Sequence, residues 1–168
     1  MRKILLNVAV TLDGFIEGPG GEYDWCLTDQ DYGMSEFLAR TDLIFFGRKS
    51  YELLMKIDPK AWPGHSRIVF SRTLEKLDDA LVIREDLLNN IMKVKQEEGK
   101  DIWLFGGASL AKTLFELRLI DELHLAVHPL LLGSGKLLFE NSGYRTQLLL
   151  KASKTFSSGL VYMIYEVR

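Results

Sequence analysis

The strongest constraint on this chain is a repeated unit: a short apolar run, a small or basic residue, then an amphipathic stretch. Leu43-Ile44-Phe45-Phe46 ends at Gly47 and leads into Arg48 to Met55, which Asp58-Pro59 closes. Arg67-Ile68-Val69-Phe70 ends at Ser71, and Leu81-Val82-Ile83 precedes the stripe Leu87, Leu88, Ile91, Met92 and Val94, which stops at Gly99. Asp101-Ile102-Trp103-Leu104-Phe105 ends at Gly106-Gly107 before the helical spacing of Leu110, Leu114 and Leu117. Runs this short and this apolar read as strands buried on both faces, and helices between them make the sheet parallel, because parallel neighbours need a crossover. Lys3 to Val10 adds a strand with the character of a central one, followed by a glycine-rich loop from Asp13 to Trp25 and helical spacing around Tyr32 to Arg40. After Asp121 the pattern changes. Leu123, Leu125 and Val127 alternate with His124, Ala126 and His128, and Arg145 to Arg168 divides into two strands around Ser157-Ser158-Gly159. The expectation is an α/β fold over residues 1–168 as a single domain, with a mostly parallel sheet and a C-terminal antiparallel hairpin.

Composition narrows the function classes. Lys plus Arg minus Asp plus Glu is 21 − 23 = −2, so no global positive field exists to hold a nucleic-acid backbone, and no nucleic-acid partner is expected. No apolar run approaches the roughly 18 residues of a membrane span, and nothing near Met1 reads as a signal peptide, so the expected location is cytoplasmic, with no membrane association. Cys26 is the single cysteine. It has no disulfide partner and no base beside it in sequence, which fits a half-buried small residue better than a nucleophile.

The chemistry-bearing residues gather at the ends of the apolar runs. No G-x-G-x-x-G occurs; Gly18-Pro19-Gly20-Gly21-Glu22-Tyr23 has the wrong spacing and does not lie between a strand and a helix. Gly47-Arg48-Lys49-Ser50 instead places two cations and a hydroxyl at a strand-to-helix junction, where free N–H groups and the helix dipole favour an anion. Ser71-Arg72-Thr73 repeats that chemistry, and Phe105-Gly106-Gly107-Ala108-Ser109 lets backbone come close to a ligand at a helix start. Singly, each is an ordinary turn or a solvated cation. On one sheet edge they suit a small molecule carrying several phosphates.

These segments, with Asn7-Val8-Ala9-Val10-Thr11-Leu12-Asp13-Gly14-Phe15-Ile16 before them and Pro129-Leu130-Leu131-Leu132-Gly133-Ser134-Gly135 and Leu138-Phe139 after them, resemble the dihydrofolate reductase superfamily from end to end. Leu-Asp-Gly in the first loop and Leu-Leu-Gly-x-Gly late in the chain are most similar to the reductase domain of bifunctional riboflavin biosynthesis proteins and its stand-alone bacterial relatives. A deaminase-type zinc motif, His-x-Glu with paired cysteines, is absent. The resemblance implies a three-layer α/β/α fold and an NADPH-dependent reductase. By position, Gly47, Arg48 and Ser50 would hold phosphates, and Arg48 with Ser71 and Arg72 would face the adenosine 2′-phosphate. Phe105, Gly106, Gly107, Ala108 and Ser109 would take the pyrophosphate, with Ala9 and Ile16 near the nicotinamide. The Gly18 to Trp25 loop would cover the site, packed on Leu132 to Lys136. The implied substrate is a small molecule, the ribose carbonyl or imine of a compound such as 5-amino-6-(5-phosphoribosylamino)uracil. Alternatives are a dihydrofolate, pterin or other small-carbonyl reductase, and, in a different class, a catalytically silent nucleotide-binding protein that keeps the fold.

Several residues keep two readings. Asp31 is reached by counting back from Gly47 to the pterin-contacting acid of dihydrofolate reductases, which makes it the candidate catalytic proton donor; aligning on Phe37 puts Gly33 there, and Asp31 then serves as a helix cap. Asp13 can simply shape its turn, and Tyr23 and Trp25 can stack on a substrate or anchor the loop. No metal is expected, since His124 and His128 on one strand lie about 13 Å apart, too far to share an ion. The hairpin Arg145 to Arg168 is the expected surface of a homodimer.

Overall fold

The computed structural model describes residues 1–139 and 145–168. In chain order the elements are β1 (Ile4–Thr11), β2 (Phe15–Glu17), α1 (Met34–Arg40), β3 (Thr41–Gly47), α2 (Arg48–Ile57), β4 (Ser66–Phe70) and β5 (Leu81–Ile83). They continue with α3 (Leu87–Gln96), β6 (Asp101–Gly106), α4 (Ala108–Glu116), β7 (Glu122–His128), β8 (Lys136–Leu137), β9 (Leu148–Thr155) and β10 (Val161–Val167). Eight strands form one sheet in the order β5-β4-β3-β6-β1-β7-β10-β9. From β5 to β7 every neighbour is parallel, and β10 runs antiparallel to both β7 and β9.

Alternation along each strand divides the apolar residues between two cores. Leu5, Ile44, Phe46, Val69 and Trp103 face Phe37 of α1 and Tyr51 and Leu54 of α2. On the opposite side Ile4, Leu6, Phe45, Leu104 and Leu123 pack with Ile91 and Val94 of α3 and Leu110 and Leu114 of α4. The result is the expected three-layer α/β/α arrangement, with each fully buried Leu, Ile or Phe contributing roughly 1.5–3 kcal/mol. The runs most apolar in sequence are the most central in space: Leu5, Ile44, Phe45, Phe46, Val69 and Leu104 have no exposed surface.

One feature departs from the sequence expectation. The Asp13 to Trp25 stretch is not all loop, because Phe15–Glu17 pairs antiparallel with Lys136–Leu137 in a second, two-stranded sheet. The alternation of β7 divides its side chains between the two cores. Between β1 and β10, with the ring of Phe37 5.3 Å from that of His124 on one face and Leu123 and Leu125 in the other core, β7 is buried on both sides.

Candidate active site

A cleft of about 1520 Å³ runs along the carboxyl ends of the parallel strands, where an open α/β sheet presents its strand-to-helix turns. Gly47, Arg48 and Ser50, then Ser71 and Arg72, then Phe105 through Ser109 line it, together with Ala9 and Ile16. Residues far apart in sequence are thus brought onto one wall because β3, β4 and β6 are neighbours in the sheet.

The centre of that wall is a pair of glycine turns. A Cβ on Gly47 would lie 3.2 Å from the N of Gly107, and a Cβ on Gly107 would lie 3.1 Å from Ser50 Oγ. Gly106 has φ +133, a conformation that side-chain-bearing residues rarely adopt, and the Gly106–Gly107 peptide is cis. From these turns α2 and α4 start side by side. Neither has a side-chain cap and neither carries an acidic residue in its first turn, so their leading N–H groups and dipoles are uncompensated by the protein. Two such helix starts behind glycines make a cradle of backbone donors of the kind that could hold an anion.

Cations flank the cradle. Arg48 is held over α2 by Glu52 at 3.1 Å, both side chains being largely exposed. Beyond it lies Arg72, whose carbonyl accepts a hydrogen bond from the Arg84 guanidinium at 3.3 Å. The Ser71 hydroxyl accepts the N–H groups of Thr73 and Leu74 at 3.3 and 3.1 Å, so it shapes the turn that carries Arg72. Sequence reasoning did not single out Arg84. Its signal was available, since it follows β5 as Ser71 follows β4, completing the series of strand ends.

At the other end the floor is made of small side chains. Ala9, Ala126 and Tyr162 are direct partners across β1, β7 and β10, which puts them in one row on one face. Tyr162 also lines the cleft. It was not identified from sequence, because a tyrosine in a hairpin strand carries no sign of its neighbours until the register is known. Over this end lies the first loop. Asp13 accepts the N–H groups of Leu132 and Gly133 at 3.1 and 2.8 Å, Lys136 Nζ reaches Glu17 at 3.0 Å, and Gly135 packs so closely on Glu17 and Gly18 that a Cβ there would lie 2.2 Å from the Glu17 carbonyl oxygen. Asp13 therefore joins the two loops rather than only shaping its own turn. Trp25 meets the His128 ring edge-on at 5.1 Å, while the Leu27 N–H donates to His128 Nε2 at 3.1 Å and His128 Nδ1 donates to the Ala126 carbonyl at 2.9 Å. Trp25 is an anchor, and Tyr23 is left lining the cleft.

Asp31 lies outside the cleft lining, exposed at the start of α1. Its carboxylate accepts the Met34 N–H at 2.6 Å and the Ser35 N–H at 3.2 Å. The Ser35 side chain and these N–H groups hold its carboxyl below the usual carboxylate range, the arrangement of a helix cap. Cys26 lines the cleft, but burial, and then the Asp24 charge, pushes its thiol up to about 11, so it is no thiolate near neutral pH. Among the described residues no three His, Cys, Asp or Glu side chains gather as metal ligands would, and no helix is long and apolar enough to cross a membrane.

Comparison with known proteins agrees with this geometry. The family model of the RibD C-terminal domain matches residues 2–162. The uncharacterized protein YyaP of Bacillus subtilis (strain 168) is 44% identical, covering 98% of this chain and 94% of its own. Among solved structures, one assigned to riboflavin biosynthesis, from Shewanella sp. PV-4, superposes with a TM-score of 0.86 at 23% identity, covering 100% of this chain and 99% of that one. Dihydrofolate reductase from Enterococcus faecalis, complexed with NADP(H), superposes with a TM-score of 0.72 at 15% identity over 99% of this chain and 96% of that one.

Proposed function

The chain belongs to the RibD C-terminal domain family and has the dihydrofolate reductase-like fold, and from this and the geometry of the cleft we propose that it is an NADPH-dependent reductase of a small molecule. The observation that carries the proposal is the pair of uncapped helix starts behind Gly47 and Gly107, with Arg48, Arg72 and Arg84 beside them. The residues fit the cofactor at each point where its chemistry is distinctive. A Cβ at Gly47 or Gly107 would fill the cradle, so the glycines keep open the space a pyrophosphate needs. The three arginines supply the charge that a 2′-phosphate requires and a bare ribose does not, which favours NADPH over NADH. Ala9 and Ala126 leave room for a flat ring on the floor.

NADPH, when bound, supplies a hydride. The protein's part is to hold the phosphates, to seat the ring on the row of alanines and to exclude water with the first loop, which Asp13, Gly135 and Lys136 tie to the late loop. The acceptor that fits best is a carbonyl or imine, as in a phosphoribosylaminopyrimidine. A pterin reductase is less well supported: among the described residues the carboxylates lining the cleft are Glu17, paired with Lys136, and Glu85 and Asp86, which follow Arg84 at the cationic end. We accordingly assign Asp31 to capping α1 rather than to proton donation.

The test is a fluorescence titration with NADPH and NADH in parallel. NADPH is expected to bind at least about tenfold more tightly, a margin of about 1.4 kcal/mol, and Arg48→Ala and Arg72→Ala are each expected to remove most of it. Failure of both nucleotides to bind would leave a silent protein that keeps the fold. We also propose that the chain self-associates through β9, an edge strand on which Leu148 and Leu150 are 41% and 50% exposed. Light scattering at high micromolar concentration is expected to give the mass of a dimer, and Leu150→Lys that of a monomer; a wild-type monomer overturns this.

A further inference from the structure

At the substrate end of the cleft the half-buried Tyr162 leads to two buried polar groups, His124 and Glu122, that cofactor binding does not require. Tyr162 Oη is 2.9 Å from His124 Nδ1, and His124 Nε2 is 3.1 Å from Glu122 Oε2. Glu122 also receives Lys3 Nζ at 2.8 Å and Arg40 Nη1 and Nη2 at 2.8 and 3.0 Å. Phe37 packs edge-on against the His124 ring, and His124 is 3% exposed, so the ring is shielded from solvent.

The direction of each hydrogen bond follows from the one behind it. Burial pushes the Glu122 carboxyl up, but hydrogen bonds from Arg40, Lys3 and His124 outweigh burial and hold it at about 2. Near neutral pH Glu122 is a carboxylate with no hydrogen to give, so His124 Nε2 must be the donor to it. Burial lowers the pKa of His124 and keeps the ring neutral, which leaves Nδ1 a bare acceptor. Burial raises the Tyr162 phenol, which keeps its hydrogen and donates it to Nδ1. Only lone pairs remain on Tyr162 Oη for anything else that meets it.

We propose that Tyr162 is a specificity-determining residue of this cleft: a hydrogen-bond acceptor, fixed in polarity by His124 and Glu122, that selects a substrate bearing an N–H or O–H donor beside the row of Ala9 and Ala126. The proposal rests on the reading of this end of the cleft as the substrate end of a reductase. It deepens that reading, because a carbonyl oxygen can only accept and finds no donor at Tyr162, whereas the amino nitrogen of an aminopyrimidine finds its partner. A buried acceptor left unpaired by a wrong ligand is a strong discriminator. His124 and Glu122 act through Tyr162 and are positioning residues.

Two measurements on the NADPH-saturated protein test it. The first is calorimetric titration with 6-aminouracil and with its fully N-methylated analogue, 6-(dimethylamino)-1,3-dimethyluracil, for wild type and Tyr162→Phe. The amino compound is expected to bind at least tenfold more tightly to wild type, and the preference is expected to shrink to less than threefold in the variant. The second is the ¹⁵N spectrum of the histidine rings in wild type, where His124 is expected to be the neutral Nε2–H tautomer, with a hydrogen-bonded Nδ1 whose signal shifts in Tyr162→Phe. A preference that survives in the variant, equal affinities in wild type, no binding of either probe at millimolar concentration, or an Nδ1–H tautomer would each overturn the proposal; should the variant not fold, the wild-type tautomer and the wild-type preference decide it. The NADPH titration that precedes saturation separates this failure from that of the reductase reading, since a protein that binds NADPH and ignores the donor pattern refutes only the role of Tyr162.

Discussion

Gly47→Val is expected to reduce NADPH affinity at least about 100-fold, a loss of about 2.7 kcal/mol, while the protein stays folded. The backbone at Gly47 has φ −77 and ψ 152, which any residue adopts, so the substitution introduces no backbone strain. Its effect is spatial. The new Cβ would lie 3.2 Å from the Gly107 N and 3.6 Å from the Gly106 carbonyl oxygen, and backbone atoms cannot swing aside as a flexible side chain does. The two further methyl groups of valine must then enter the space between the starts of α2 and α4, where the donors converge. Gly47→Ala, with the Cβ alone, is expected to show an intermediate loss, because a shift of a few tenths of an ångström accommodates it. Fluorescence titration of both variants, with a thermal melt to establish folding, measures this. Wild-type affinity in the valine variant would mean that the cradle between the two turns holds nothing.

Much of this architecture can be read from the chain, for a physical reason. Strands buried on both faces must be apolar throughout, so Leu43 to Phe46 and Ile102 to Phe105 stand out, and the turns that follow them fall at the sheet edge by topology alone. What escapes such reading is anything decided by register or by very short pairing. β2 and β8 have three and two residues, too few for any period to show, and they exist because Gly135 lets the two loops approach. The neighbourhood of Tyr162 depends on its pairing with Ala126, and a slip of one residue would turn it to the other face. His124 and His128 illustrate the same limit. As a spaced pair they invite a metal reading, yet in the sheet His124 belongs to a relay with Glu122 and Tyr162, and His128 fastens the first loop through Leu27.

Arg40→Met is expected to destabilise the protein by about 3 kcal/mol near neutral pH, with the loss shrinking as pH falls. Arg40 ends α1 and holds both oxygens of Glu122 while its Nε donates to Asp101 at 2.7 Å, so one side chain ties α1 to the starts of β6 and β7. Methionine keeps much of the apolar stem and removes the charge. Glu122, with a side chain 9% exposed, is then left with Lys3 and His124, and a buried carboxylate that loses its bidentate partner costs more than a surface pair is worth. Because the Arg40 side chain is itself 37% exposed, solvent screens part of the interaction, which is why the lower end of the range for broken buried pairs applies. The sign with pH follows from Glu122. Its folded-state pKa is depressed from 4.5 to about 2, so its contribution is fully present above about 4.5 and is lost as pH falls towards about 2. Urea unfolding of wild type and Arg40→Met at pH 7, 4 and 3 is expected to show two stabilities that draw together on acidification, because below about 4.5 the unfolded chain takes up a proton on Glu122 that the native wild type, holding this carboxyl at about 2, does not. A constant offset at all three values would place the effect of Arg40 outside its bonds to carboxylates. Convergence would establish that Glu122 is an ionised carboxylate in the native protein, the condition on which the polarity of His124, and through it of Tyr162, depends.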